Sequence, residues 1–361
     1  MENRNKLYKL RVLHGIIDEK KRQIITLIKR KMYYRFPLRR KAFVIGMPVH
    51  KNIGDSAIAL AEVNFISKCG FPRESIKEIT MEEYKQYLKM IKRAIGRKDI
   101  ICLLGGGNMG DVWLKEETFR RQILIDLKKQ PIIVFPQTVD YSDSLEGRQE
   151  WEKSKDYYNN QRLTLIAREQ QSFELMKSAY PNAKVIATPD IVLSGCREDY
   201  GVKEQEKRDG ILFCMRSDKE KSMSDDLIEE IKKFVISLKY KIIETDMYSS
   251  EYIWEASVRK TVVCEKMEEF AKAELVITDR LHAMIFSALT ETPCIAFSNS
   301  NYKVKGTYEW IKYLPYIKFV NTAEAAKKYI PILLQMKTCC FDNRQLTPYF
   351  KEIENIIKAR L

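Results

Sequence analysis

The chain has 361 residues, 45% hydrophobic and 31% charged, with fourteen Gly and eleven Pro. That length suits two cores rather than one, and the composition excludes collagen-like, low-complexity and disordered classes. No apolar run approaches the roughly 18 residues of a spanning helix, and the N-terminus lacks a secretory signal's apolar stretch and cleavage site, so a soluble, cytoplasmic protein is expected.

The formal charge of +14 is unevenly placed. Residues 1–41 carry fourteen Lys/Arg against three acids, a net of +11, which leaves +3 for residues 42–361. The basicity therefore belongs to an N-terminal arm and not to the cores. Within the arm, Leu10, Leu13, Ile17, Ile24 and Ile28 recur on one helical face, which predicts an amphipathic helix from about Lys6 to Tyr34, ended by Phe36-Pro37.

From Ala42 strands and helices alternate. Strands are expected at Ala42 to Met47, Asp99 to Leu104, Pro131 to Gln137, Leu163 to Arg168 and Lys184 to Thr188. Helices are expected at Ser56 to Cys69, from Ile123 to Lys129 after a Gly-rich turn, and at Glu169 to Ala179. Val192 to Asp209 is polar and reads as a linker. Strands then follow at Gly210 to Arg216, Tyr240 to Thr245, Leu275 to Thr278, Pro293 to Phe297 and Ile317 to Val320. The helices between and after them are Ser224 to Leu238, Val262 to Ala273, Arg280 to Thr290, Thr307 to Leu314, Ala323 to Gln335 and Pro348 to Arg360. Uninterrupted apolar strands joined by helices indicate parallel sheets covered on both faces. The expected division is 1–41 as the arm, 42–195 and 205–340 as two Rossmann-like α/β domains, and 341–361 as a C-terminal helix. Two such sheets facing each other leave a ligand cleft at the carboxyl ends of their strands.

The eight cysteines show no CxxC, and the three histidines (14, 50 and 282) are too scattered for a zinc set, so no metal site is expected. Vicinal Cys339-Cys340 is read as a buried helix-end pair in preference to a redox pair.

Three segments carry candidate chemistry. Gly105-Gly106-Gly107-Asn108-Met109-Gly110 satisfies G-x-G-x-x-G after a strand, but no acidic residue ends the next strand to hold a ribose. The glycines are read as allowing close ligand approach or a tight turn. In Asn52-Ile53-Gly54-Asp55-Ser56, either Asp55 or Ser56 caps the following helix, or Asp55 accepts a proton from an acceptor hydroxyl at the cleft mouth. Thr278-Asp279-Arg280-Leu281-His282-Ala283 leaves a strand and opens a helix, a favourable place for an anion, with Arg280 adding a guanidinium fork and His282 a proton donor. The bland alternative has Asp279 as the cap and His282 as a satisfied half-buried residue. Arg168 also opens a helix at a strand end, and of Lys303 and Lys305 only one is expected to face the cleft. An anion held by Arg168, Arg280 and one lysine would bridge the domains.

These pieces resemble the polysaccharide pyruvyl transferase family. The matching segments are Asn-Ile-Gly-Asp at 52–55, Leu-Gly-Gly-Gly-Asn at 104–108, Pro-Gln-Thr at 136–138, Arg-Glu at 168–169, Thr-Asp-Arg-Leu-His-Ala at 278–283 and Lys-Val-Lys-Gly at 303–306. The resemblance covers roughly residues 42–335. After Gln137-Thr138 the chain continues Val139-Asp140 where relatives often have Gly-Pro. The resemblance implies a GT-B-like pair of Rossmann-type domains, with the acceptor on 42–195 and phosphoenolpyruvate on 205–340. It implies Arg168, Arg280 and Lys303 or Lys305 at the donor, His282 as acid, and Asn52, Gly54, Gly105, Gly106, Gly107 and Asn108 in cleft loops. The implied product is a pyruvate ketal on two hydroxyls of one sugar in a surface polysaccharide or its lipid-linked precursor, with phosphate released.

The chemistry needs no metal or redox cofactor, only phosphoenolpyruvate as co-substrate: protonation at its methylene carbon makes the central carbon electrophilic. A lipid-linked acceptor would place the enzyme at the inner face of the membrane, where the arm makes peripheral contact. The rival reading packs the arm across the domains. Two other functions compete. A nucleotide-sugar glycosyltransferase would share the architecture, and a nucleic-acid-binding protein would act through residues 1–41. Near-neutral cores and arm aromatics without interleaving argue against nucleic acid.

Overall fold

The computed structural model describes residues 19, 21–205, 207–216, 223–253, 255–298 and 302–359. Aliphatic strands β1 (Ala42–Met47), β2 (Ile76–Thr80), β3 (Ile100–Leu103), β4 (Gly106–Gly110), β5 (Ile132–Asp140), β6 (Leu163–Ala167) and β7 (Lys184–Ala187) form one parallel sheet. Its order is β2-β1-β3-β5-β6-β7, with β4 beside the distal half of β5. The second sheet, also parallel, is built from β8 (Ile211–Cys214), β9 (Ile242–Thr245), β10 (Leu275–Thr278), β11 (Cys294–Phe297) and β12 (Ile317–Val320), in the order β12-β11-β10-β8-β9. Both orders reverse direction beside the first strand of the sheet, the switch point where open α/β sheets bind ligands.

Helices cover both faces of the sheets: α1 (21–35), α2 (Ile53–Lys68), α3 (Met81–Ala94), α4 (Leu114–Asp126), α5 (Leu145–Tyr158), α6 (Gln170–Ala179), α7 (Asp225–Ser237), α8 (Ala256–Ala271), α9 (Leu281–Leu289), α10 (Lys303–Ile311), α11 (Ala323–Leu334) and α12 (Thr347–Lys358). Helix α2 is apolar nearly all round because it is enclosed, packing on the first sheet and also against α8 of the second half. One continuous core runs from Val44 and Ile58 through Met267 to Phe286. The halves are further clasped where the Ile53 amide donates to Met247 (2.9 Å) and the Ser249 amide to Lys51 (2.8 Å). Buried Arg259 adds an ion pair with Glu78 at 2.5 Å. Helix α12 returns to the first half, where Phe350 meets Phe65 at 6.3 Å.

The structure departs from the sequence expectations at several points. The Gly-rich segment is strand β4 and not a turn, its bare backbone lying along β5. The pair β2 and α3 escaped the pattern because Lys77 and Glu78 sit in a sheet-edge strand, although Thr80 and Glu83 form a reciprocal capping box (3.1 and 3.2 Å). Polar α5 escaped likewise. The expected linker is packed, with Val192, Leu193, Tyr200 and Val202 buried. Lys303 to Gly306, expected to precede a helix, form its first turn. Cys339 is half-buried and Cys340 exposed in a non-helical stretch after α11, both as free thiols, so the expected buried helix-end pair does not form. Residues 1–18 of the predicted arm lie outside the described residues. Within α1, Ile24 and Ile28 are exposed, contrary to an arm packed by its apolar face across the domains.

Candidate active site

A cleft of about 340 Å³ opens between the carboxyl ends of the two sheets. Strand β6 delivers Arg168 to its floor as the chain turns into α6. The guanidinium is 2% exposed, donating through Nη1 to Asp190 Oδ2 (3.0 Å) and through Nη2 to Thr138 Oγ1 (2.8 Å). A buried arginine is tolerable only with such partners. Asp190 follows β7, caps the next turn by accepting from the Val192 amide at 3.0 Å, and is itself buried.

From the opposite half, β10 leads through Asp279 and Arg280 into α9, whose first turn presents His282. Its Nε2 stands 3.5 Å from Asp190 Oδ2, an electrostatic contact longer than a good hydrogen bond. Asp190 therefore joins Arg168 of one half to His282 of the other. Burial pushes the Asp190 carboxyl up, but the His282 imidazole and the Arg168 guanidinium pull harder and hold it below the ordinary carboxylate range.

Two glycines make this convergence possible. A Cβ on Gly54, at the start of α2, would lie 2.4 Å from His282 Nδ1, so any side chain there would push the imidazole away. A Cβ on Gly107 would lie 3.0 Å from Arg168 Nη2 and 3.1 Å from Lys303 Cε. Bare backbone in β4 thus lets the guanidinium of β6 and the ammonium of α10 meet in one place. Lys303, 6% exposed, lines the cleft together with Arg216, two residues beyond β8. Nearby Glu169 accepts from Thr138 at 2.8 Å, and burial pushes its carboxyl up against the pull of Arg168. Arg168, Lys303 and Arg216, beside a Glu169 carboxyl that burial pushes up, make this end of the cleft favourable to an anion.

Lys305 does not belong to the site. It is exposed, in a separate depression with Glu309 and Lys312, because helix α10 turns positions two apart to different sides. Arg280 is not on the cleft wall either. It is buried, with its guanidinium carbon 5.1 Å from the centroid of the Tyr248 ring, and Tyr248 is the residue that lines the cleft. The bland alternative of an Asp279 cap is not realised: its carboxylate accepts from the Arg216 amide at 2.8 Å, holding the segment that follows β8.

A second depression of about 350 Å³ continues from the first, sharing His50, Asp55, Asn108 and Glu116. Helix α2 is capped by Asn52, whose Oδ1 accepts from the Gly54 amide at 2.9 Å, and neither Asp55 nor Ser56 serves as the cap. Asp55 is released to face this space, where His50 Nε2 lies 3.5 Å from it. Asn108 is hydrogen-bonded by Arg120, itself tied to buried Glu117 at 2.5 Å. Gly105 lines the wall and donates to Glu62 at 2.7 Å, whereas Gly106 borders neither depression and pairs with Gln137. Burial pushes the Glu62 carboxyl well up, the Gly105 amide opposing and Asp190 reinforcing it.

Sequence reasoning missed Asp190, His50, Arg216 and Tyr248 as site residues. Thr188-Pro189-Asp190 after β7 carried the signal for Asp190, a carboxylate at the carboxyl end of a parallel strand. His50, two residues before the capping Asn52, was equally visible.

The sequence profile described as polysaccharide pyruvyl transferase matches residues 52–301. The chain belongs to the polysaccharide pyruvyl transferase family. Among its relatives, general stress protein 30 of Bacillus subtilis is 38% identical across 82% of this chain and 86% of its own. Pyruvyl transferase 1 of Schizosaccharomyces pombe is 28% identical across 72% of this chain and 67% of its own. Among solved structures, UDP-GlcNAc 2-epimerase from Methanocaldococcus jannaschii superposes with a TM-score of 0.51 at 12% identity, covering 89% of this chain and 100% of that one. That likeness is one of fold, the GT-B-like arrangement expected from the sequence. Membership in the family makes the chain a transferase. Among the described residues no helix is long and apolar enough to cross a membrane.

Proposed function

We propose that this pyruvyl transferase takes its pyruvyl group from phosphoenolpyruvate. It moves the group onto two hydroxyls of one sugar, in a surface polysaccharide or its lipid-linked precursor, as a ketal. The observation that carries the reading is the convergence of Arg168, Lys303 and His282 on one cleft, around glycines that admit nothing larger. The donor is a small dianionic or trianionic enol, and this end of the cleft offers fixed cations and one imidazole.

In this mechanism Arg168, Lys303 and Arg216 hold the carboxylate and phosphate, while Arg280, stacked on Tyr248, adds positive potential from behind the wall. His282, oriented by Asp190, gives a proton to the methylene carbon, and the central carbon becomes an oxocarbenium-like electrophile. A first sugar hydroxyl forms a C–O bond there. The bond from that carbon to the phosphate oxygen breaks, and the second hydroxyl closes the ring. Of the two hydroxyl protons, one restores His282 and one leaves with phosphate. Asp55, beside His50 in the depression continuous with the donor end, takes the second of these protons from the acceptor hydroxyl and passes it on to the departing phosphate. With this donor the reaction belongs to the cytoplasmic side of the membrane.

Phosphate release from phosphoenolpyruvate in the presence of a diol-bearing glycan, with the ketal methyl group followed by NMR, tests the reading. The expected result is stoichiometric ketal and phosphate, lost in His282→Gln. Thermal stabilisation by UDP-GlcNAc and none by phosphoenolpyruvate would overturn the donor assignment in favour of a sugar nucleotide.

A further inference from the structure

Helix α1 is anchored by one face and bare on the other. Tyr34 is buried beside Tyr87, with ring centroids 6.3 Å apart. The Tyr33 hydroxyl accepts from the Glu78 amide at 3.0 Å, and Arg30 pairs with Glu83 at 2.5 Å. At about 100° per residue, the face carrying Tyr33, Arg30 and Tyr34 lies about 180° from the face carrying Ile24, Ile25, Ile28 and Met32. Those four side chains are 56%, 51%, 53% and 55% exposed. An aliphatic stripe pointing directly away from the body to which the helix is fixed contributes nothing to the core and leaves apolar surface in water.

The charges say what such a stripe meets. Lys21, Lys31 and Arg35 stand among the aliphatic residues and Arg22 and Lys29 border them, all exposed. The only described acid on this stretch is Glu19. Pairing two copies of the helix through this stripe would set Lys21, Lys31 and Arg35 against themselves. A neutral bilayer would leave the cations without partners.

We propose that α1 is an interfacial helix that lays its Ile24–Ile28–Met32 stripe on an anionic lipid surface. The aliphatic groups enter the boundary between headgroups and acyl chains, and the long lysine and arginine stems extend to the lipid phosphates. Tyr33 and Tyr34 hold the helix against the first half, so the whole enzyme is carried to the surface. This inference rests on α1 and its charges alone and stands apart from the donor assignment.

Flotation of the full chain with vesicles of phosphatidylcholine alone, or with phosphatidylglycerol added, tests it. The expected result is binding to the anionic vesicles only, weakened by salt. The triple variant Ile24→Ser, Ile28→Ser, Met32→Ser should lose about tenfold in partitioning. Lys21→Glu, Lys29→Glu, Lys31→Glu should abolish binding, with melting temperatures unchanged in both because the positions are exposed. Equal partitioning of wild type and both variants, or none by wild type, would overturn the proposal. So would light scattering that reports a wild-type dimer and a monomeric triple serine variant without vesicle binding.

Discussion

The two ends of the cleft are built on different principles. At one end Arg168, Asp190 and Lys303 are buried and His282 is 14% exposed, each side chain fixed by a neighbour or by a glycine that leaves it room. At the other, His50 and Asp55 have side chains 48% and 30% exposed, and the walls mix Met47, Phe119 and Tyr252 with Glu82 and Lys115. Rigid, desolvated charge suits a ligand that never changes. An open wall of mixed polarity suits one that varies. The difference teaches that buried charge and an open wall of mixed polarity occupy one cleft and meet at His50, Asp55, Asn108 and Glu116.

The comparison is broken most directly at His282. His282→Gln should lower turnover by about 10²- to 10⁴-fold, the usual share of a general acid, while phosphoenolpyruvate still binds by calorimetry. Unchanged turnover would remove the proton donor from the donor end.

Asp190→Asn should cost about 3 kcal/mol of stability in denaturant unfolding, because buried Arg168 would lose its nearer counter-charge and keep only Glu169 at 3.9 Å. The folded state lowers the Asp190 carboxyl below its ordinary 3.8, so this contribution is full above that value and is lost as the pH falls through the lowered one. The gap between wild type and Asp190→Asn should therefore narrow only in strong acid.

Gly54→Ala should lower turnover by about 10²-fold, since the added methyl would sit 2.4 Å from His282 Nδ1 and displace the imidazole. A neutral Gly54→Ala would show that the packing of α2 on α9 does not set the acid's position.

At the open end, His50→Ala should raise the KM for the glycan by no more than about fivefold and leave the KM for phosphoenolpyruvate alone, since an exposed pair is worth little. An equal effect on both substrates would show that the two ends are not separate.

The smallest effect concerns Glu62, which burial keeps biased toward its neutral form. A raised folded-state value means that wild type loses stability as the pH climbs above 4.5, where the unfolded chain ionises and the folded one resists. Glu62→Gln retains an acceptor for the Gly105 amide, and its melting temperature should overtake that of wild type progressively as the pH rises.

Much of this design was legible in the chain itself. Aliphatic runs such as Ile132 to Val134 and Leu275 to Ile277 mark parallel strands because both faces of each are covered. Arg168, His282 and Lys303 were legible because charged groups at strand ends or helix starts have a short menu of roles. What was hidden depended on contacts distant in sequence. Asp190 reads locally as a turn cap, and only the approach of α9 makes it the link between Arg168 and His282. Lys305 could not be separated from Lys303 until α10 was known to begin at Lys303, and Arg280 could not be set behind Tyr248 without the loop after β9. The glycines at 105 to 107 read as a turn because their lack of side chains serves distant neighbours, Gly105 leaving room for the Pro136 backbone and Gly107 for Arg168 and Lys303.

The most direct measurement is a crystal structure of the chain with phosphoenolpyruvate bound. The expected result is the ligand's carboxylate and phosphate against Arg168, Lys303 and Arg216, with the methylene carbon facing His282. Phosphoenolpyruvate seated in the His50–Asp55 depression, or away from the interdomain cleft, would contradict it.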